Sequence, residues 1–377
     1  MKRAQVQTSA SQIHDLERIG FILGLDEFRL GHRAPGPDDA ELAVRLKTLR
    51  PTHPMIGTQP LSPGTVLTFA HAASVIRTQC RMQDWLDIHG YNTKFRPTDD
   101  YGTSVSPPYK VGYMLAEHVR EALGLGFSPI ESMRDMVEVE LGIPVVQAKL
   151  PQHISGATIA VGQSGQDEAR GIVLNTDGAN ESIWVRRATV AHELGHLLFD
   201  PVQRLDRVRV DTYQSNEIDP ESHLDLGSAT TDVVEQRANA FSIALLAPMQ
   251  AVRDMTPPPL RSAAIERVMS EFGISYTAAR YHVFNAHYRQ YELPPDRASA
   301  DPSDEQKAAE NFTLDYFPIK VTPGIRRGRF AGMVGECYKR GFISVDSAAQ
   351  YLNCDEKEFA DSFETIRELY SLEDSSG

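Results

Sequence analysis

Cysteine is nearly missing from this chain of 377 residues, which has only Cys80, Cys337 and Cys354. An odd number of widely spaced thiols excludes a disulfide framework and a cysteine-built metal site, and fits a reducing compartment. Long hydrophobic runs are missing too. No stretch approaches the roughly 18 apolar residues of a membrane span, and Met1 to Ala10 lacks the architecture of a secretory signal, so the expected location is the cytoplasm with no membrane partner. Positive charge is also short, with 38 Lys and Arg against 51 Asp and Glu and a formal net charge of -13. That balance argues against broad attraction to nucleic acid or anionic lipid and leaves room only for a local basic patch. Residues 1–108 show no convincing helix-turn-helix, which removes promoter recognition at that end of the chain.

Against these absences stands one dense stretch, Thr189 to Asp200, reading T-V-A-H-E-L-G-H-L-L-F-D. On a helix His192 and His196 lie one turn apart on the same face, so both imidazoles can grip one metal ion. Glu193 is one position round, where its carboxylate can take a proton from a water without occupying a coordination site. That division of labour is the zinc-hydrolase pattern. The flanking run, Val190, Ala191, Leu194, Leu197, Leu198 and Phe199, is apolar. Two unpartnered imidazoles and a carboxylate among such residues would be costly to desolvate, and a metal resolves that cost.

A catalytic zinc takes three protein ligands and keeps one position open. The metzincin arrangement needs Gly and His at the third and sixth positions after the second histidine, where this chain has Phe199 and Val202. The better candidate is Glu235, in V-V-E-Q-R-A-N-A-F-S-I-A-L-L-A-P, whose apolar residues Val234, Ala238, Phe241 and Leu245 recur at helical steps. Asn239 follows Glu235 by one turn on the same face and is unfavourable by propensity inside such a run. The expectation is a supporting amide beside a ligand.

These residues resemble the ImmA/IrrE family of metallopeptidases, whose pattern is H-E-L-G-H followed by E-x-x-A-N-x-F-A-x-x-L-L-x-P. Ser242 stands where that pattern has Ala. The resemblance runs from about Tyr113 to Ala286 and takes in G-I-V-L-N-T-D, Gly171 to Asp177, similar to the strand before the family's active-site helix. It implies one zinc ion per chain held by His192, His196 and Glu235, Glu193 as the catalytic base, and a narrow range of protein substrates, typically a repressor or other regulatory protein.

The expected fold is α+β, with a small antiparallel sheet packed on zincin-type helices and helical domains at both ends. Val111 to Leu123 and Pro129 to Leu141 read as helices stopped by Gly124 and Gly142. Pro144 to Lys149, Ala157 to Val161 and Gly171 to Asn175 read as strands. Ile172, Val173, Leu174 and Asn175 form the candidate edge strand for binding a substrate backbone, with closure of the core as the other reading. Arg204 to Thr231 reads as an acid-rich specificity loop containing Tyr213 and His223, two candidates for stabilising an oxyanion. The expected divisions are a mostly helical 1–108, a peptidase domain 109–255, a helical extension 256–293, a linker 294–310 and a helical 311–377. Helix-turn-helix rhythms at Arg261 to His287 and Arg329 to Leu352, with the basic run Arg326, Arg327, Arg329, Lys339 and Arg340, support a competing reading. In it the chain is a DNA-binding regulator whose metal domain is sensory or inert.

Overall fold

The computed structural model describes residues 63–88, 90, 94–96, 98, 106–152, 154–163, 166–200, 209–211, 231–310 and 316–370. Residues 1–62 of the mostly helical 1–108, and most of the acid-rich loop Arg204 to Thr231 with Tyr213 and His223, lie outside these residues.

Helix α1 spans Pro63–Leu86 and α2 spans Pro108–Ala122, each beginning with a proline, whose fixed φ suits the first turn. A short helix α3, Met133–Asp135, is capped by Ser132 and passes into a π-helical turn, Met136–Glu140. Gly142, at φ 66°, ends it in the left-handed region that glycine enters without strain. Strands β1 (Val145–Ala148), β2 (Gly156–Gln163) and β3 (Gln166–Asn175) lead into α4, Ile183–Phe199. Strand β4, Arg209–Asp211, precedes α5, Thr231–Leu246. The chain continues through α6 (Met249–Met255), α7 (Ser262–Phe272), α8 (Tyr276–Ala286) and α9 (Asp304–Glu310). It then forms α10 (Arg329–Lys339), α11 (Val345–Leu352) and α12 (Glu356–Leu369).

The fold is α+β as expected, but among the described residues four strands make a mixed sheet in the order β1-β3-β2-β4. β1 runs parallel to β3, while β2 is antiparallel to both β3 and β4. The chain reverses twice between β1 and β3, so β3, inserted between its two predecessors, runs parallel to β1. Asn175 shapes the connection that steps across the end of β3. Its amide accepts from the Leu150 N–H at 3.0 Å and donates to the Leu150 and Ile154 carbonyls at 3.2 and 2.7 Å.

This topology corrects the edge-strand expectation. Ile172, Val173, Leu174 and Asn175 pair with Val145 to Ala148 on one side, and Leu174 to Ile172 pair with Gly156 to Thr158 on the other. All four are fully buried. They lie in the middle of the sheet, so no substrate backbone can pair with them.

Both sheet faces are covered. Ile172, Leu174 and Val145 join α4, α5, α7 and α8 in one apolar core, with Leu194, Leu197, Phe199, Phe241 and Val283 among its members. The alternate residues Val173, Val146, Ala148, Ala157 and Ile159 join a second core with Phe69, Ile76 and Met82 of α1 and Phe330, Val334, Leu352 and Phe359 of the C-terminal helices. Each of the Val, Leu, Ile, Met and Phe side chains among them contributes roughly 1.5–3 kcal/mol on burial. α1 sits tight on the sheet, since a Cβ at Gly171 would lie 2.8 Å from Ile76 Cδ1. The second core therefore crosses the divisions drawn at 108 and 311. The segment read as a linker is docked as well: Glu310 is buried, accepts the N–H of Met133 and pairs with Arg187 of α4. Among the described residues, no helix is long and apolar enough to cross a membrane.

Candidate metal centre

The centre is assembled by two helices crossing at a glycine. A Cβ on Gly195 would meet Phe241 Cδ1 at 2.7 Å, so the absence of a side chain between the two histidines lets α5 approach α4 closely. On the other flank of α5, a Cβ on Gly112 of α2 would lie 2.3 Å from the Arg237 carbonyl. Arg120 also holds α2 to α5 by donating to the Leu245 carbonyl at 2.5 Å. Glu235 is thereby carried over the histidine face of α4.

The donor atoms of His192, His196 and Glu235 all lie within 4.8 Å of one another. His192 Nε2 is 3.1 Å from His196 Nε2 and 3.2 Å from Glu235 Oε2, which is 3.6 Å from His196 Nε2. Zinc bonds of about 2.0–2.2 Å in tetrahedral geometry put ligand atoms about 3.3 Å apart, so the triangle has the size zinc requires. Two neutral imidazoles and a carboxylate are also donors that suit it. The His196 ring is fully buried, whereas His192 is 12% and Glu235 24% exposed, so the centre opens on one side.

His196 Nδ1 lies 3.0 Å from Asp200 Oδ2, an arrangement in which Nδ1–H donates to the carboxylate and Nε2 keeps its lone pair for a metal. The other Asp200 oxygen is ion-paired with Arg237 of α5. Asp200 and Arg237 are both buried, so this pair fixes the imidazole and ties the two ligand helices together. Asn239, expected in the supporting role, is exposed, and its backbone carbonyl accepts from the Ser242 hydroxyl at 2.9 Å. The group on the His196 imidazole is Asp200. Its signal was available, an acid one helical turn beyond His196.

Glu193 is buried on the face of α4 turned to the sheet. Thr158 Oγ1 lies 2.6 Å from its Oε2 and donates to it. Gly156 faces the other oxygen, and a Cβ there would sit 2.9 Å from Oε1. The register of α4 against β2 is set by Asn180, which donates to the Ser155 carbonyl at 2.6 Å and accepts from the Thr189 hydroxyl at 2.9 Å. Sequence reading missed Thr158, Gly156, Asn180 and Arg237, because each acts across distant parts of the chain.

Residues 140–284 match the family model described as the IrrE N-terminal-like domain, Peptidase_M78. Residues 140–284 are an IrrE N-terminal-like domain. The match begins at the end of the π-helical turn, takes in the sheet and the helices α4 and α5 that carry His192, His196 and Glu235, and ends within α8. No curated protein matches the chain. This IrrE-like domain is of the metallopeptidase kind, and its donor set is a group that can hold a metal ion.

The basic run is committed elsewhere. Arg326 is buried and donates to the Gln350 and Tyr351 carbonyls, and Arg327 donates to the Thr322 carbonyl. Lys339 and Arg340 both pair with Glu336. Arg329 is largely withdrawn from solvent near Glu138. The helix pair α7–α8 turns Ile265, Val268, Phe272, Ala279 and Val283 into the peptidase core, as a packing element does.

Proposed function

We propose that this protein is a zinc-dependent, site-specific endopeptidase that hydrolyses a peptide bond in a regulatory protein, with a transcriptional repressor as the substrate class. The observation that carries the reading is the zinc-sized triangle of His192, His196 and Glu235 with the buried Glu193 carboxylate beside it. The repressor class rests on the family resemblance. The working location is the cytoplasm.

One zinc ion, held by His192, His196 and Glu235, would supply a Lewis acid for the scissile carbonyl and raise the acidity of a water at the open side. Glu193 accepts the proton of the attacking water and returns it to the leaving amine. The Thr158 hydroxyl, donating to Oε2, fixes the orientation of that carboxylate. Asp200 keeps His196 in the tautomer that offers Nε2. Asn239 retains a supporting role at the exposed rim, one turn beyond Glu235.

Against the competing reading as a DNA-binding regulator stands the use of Arg326 and Arg327, whose guanidinium groups donate to carbonyls within the chain, while Lys339 and Arg340 stay on the surface in pairs with Glu336. A gel shift at physiological salt tests it directly, with no retarded complex expected. For the peptidase, purified protein should contain about one equivalent of zinc. His196→Ala and Glu235→Ala should lose most of it, while Glu193→Gln keeps zinc and loses hydrolysis. Zinc retained in full by Glu235→Ala would remove Glu235 from the ligand set. Mass spectrometry of cells expressing wild type against Glu193→Gln should identify the substrate as a protein cut only by the former.

A further inference from the structure

The base of the proposed reaction leans against one strand. Gly156 and Thr158 of β2 meet the two Glu193 oxygens, so the segment Gly156 to Thr158 runs alongside the centre. One edge of that segment is paired with β3. The other, which an extended polypeptide would need in order to lie beside Glu193 by main-chain pairing, is occupied by the chain itself. Strand β4 pairs antiparallel there, with Asp211 opposite Gly156, Val210 opposite Ala157 and Arg209 opposite Thr158. β4 comes from the stretch between His196 and Glu235, so the occupant is joined on both sides to a helix bearing a metal ligand. Among the described residues the pairing spans Arg209 to Asp211 on Gly156 to Thr158.

We propose that β4 is a resident, displaceable occupant of the peptide-binding edge, and that the enzyme is self-blocked until an extended segment of a partner protein replaces Arg209 to Asp211 on Gly156 to Thr158. The proposal rests on the peptidase reading above. An occupant within the same chain competes at an effective concentration of about millimolar. It therefore weakens every free peptide by the fraction of molecules in which the edge is closed, and leaves untouched a ligand that needs only the metal. Generic unfolded chains are excluded on this account, and a partner that pairs well with β2 is admitted. The block appears in KM rather than in kcat.

The test uses the full-length, zinc-loaded protein and two probes. One is a peptide hydroxamate with an extended backbone; the other is acetohydroxamic acid, which reaches the metal but has no strand to pair. Val210→Pro removes a backbone N–H and disfavours pairing at β4. It should tighten the peptide hydroxamate by about tenfold or more and leave acetohydroxamic acid unchanged. Unchanged affinity for the peptide probe, or an equal gain for both, would overturn the proposal. Should that variant fold poorly, Ala157→Cys with Val210→Cys provides the opposite manipulation, a disulfide between Cα partners that locks β4 in place. The oxidised form should lose the peptide probe, keep acetohydroxamic acid and recover on reduction; undiminished peptide binding by the locked form would equally sink the idea. Casein cleavage, followed in parallel, should rise in Val210→Pro through KM. If no form cuts any protein while the hydroxamate pattern holds, the peptidase reading fails and the occupancy of the edge stands.

Discussion

Asp200 shows how much a single buried side chain can decide. It sits at the end of α4, receives the His196 Nδ1–H, and answers the Arg237 guanidinium with its second oxygen. Asp200→Asn leaves an acceptor for the imidazole but removes the charge that faces a buried arginine. The expected result is a loss of zinc affinity of about 10- to 100-fold, the usual size for a group that orients a metal-ligating histidine. Asn239→Ala should lose less, because that amide is exposed. Competition of each variant with a chromogenic chelator measures the difference, and equal losses would restore Asn239 to a place beside the ligands. At this scale the sequence was highly legible. The grouping of His192, His196 and Glu235 could be read because helical periodicity is local and residues able to hold a metal are of few types. Thr158 and Arg237 could not, since a threonine in a strand and an arginine in a helix have no local mark that separates them from surface residues.

Among the elements, the crossing of α4 and α5 is the sensitive joint. Gly195→Ala would place a methyl 2.7 Å from Phe241 Cδ1, and that ring cannot simply swing aside because it packs edge-on against Phe199 with centroids 5.6 Å apart. α5 must move, and Glu235 moves with it. We expect a zinc affinity lower by about tenfold or more, by analogy with a disturbed ligand shell. Adding Phe241→Leu should recover part of it, a non-additivity readable in a double-mutant cycle. If Phe241→Leu gives no recovery, the glycine is needed for some reason other than the crossing. The strands were harder to read than the helices for a physical reason. Helix contacts follow from spacing along the chain, while strand partners are chosen by distant residues. One clue was overlooked: Gly171 to Leu174 includes an unbroken apolar run, Ile172, Val173 and Leu174, which suits a strand buried on both faces rather than an edge. The same clue would have placed the open edge elsewhere.

For the molecule as a whole, Glu138 marks where the peptidase core meets the C-terminal helices. It is buried in the π-helical turn and accepts from the Val145 N–H at 3.4 Å. Burial pushes its carboxyl up to about 7, against the opposing pull of Arg134 and Arg329. In the unfolded chain the carboxyl titrates near its ordinary value, 4.5. Below that pH both states are protonated and the residue is neutral in its effect. Between there and about 7 the folded state alone holds the proton, so this residue's contribution to stability falls as pH rises, and above about 7 its full cost is present. Glu138→Gln should therefore raise the melting temperature relative to wild type at pH 8 and give little gain at pH 4.5. A gain of the same size at both values would show that ionisation is not its cause.

The sheet's second face has a practical consequence. Val146, Ala148, Ala157, Ile159 and Val173 look away from the metal and are covered by α1 and the C-terminal helices. A fragment cut to residues 140–284 would keep every proposed ligand and the base, yet expose that face as one adhesive surface. Such a fragment should sediment as aggregates in analytical ultracentrifugation, whereas one extended to run from Pro63 to Tyr370 should remain dispersed. Helix α1 and the C-terminal helices thus serve as a coat for the back of the sheet, and trimming the chain to the recognisable domain would discard what keeps that domain in solution.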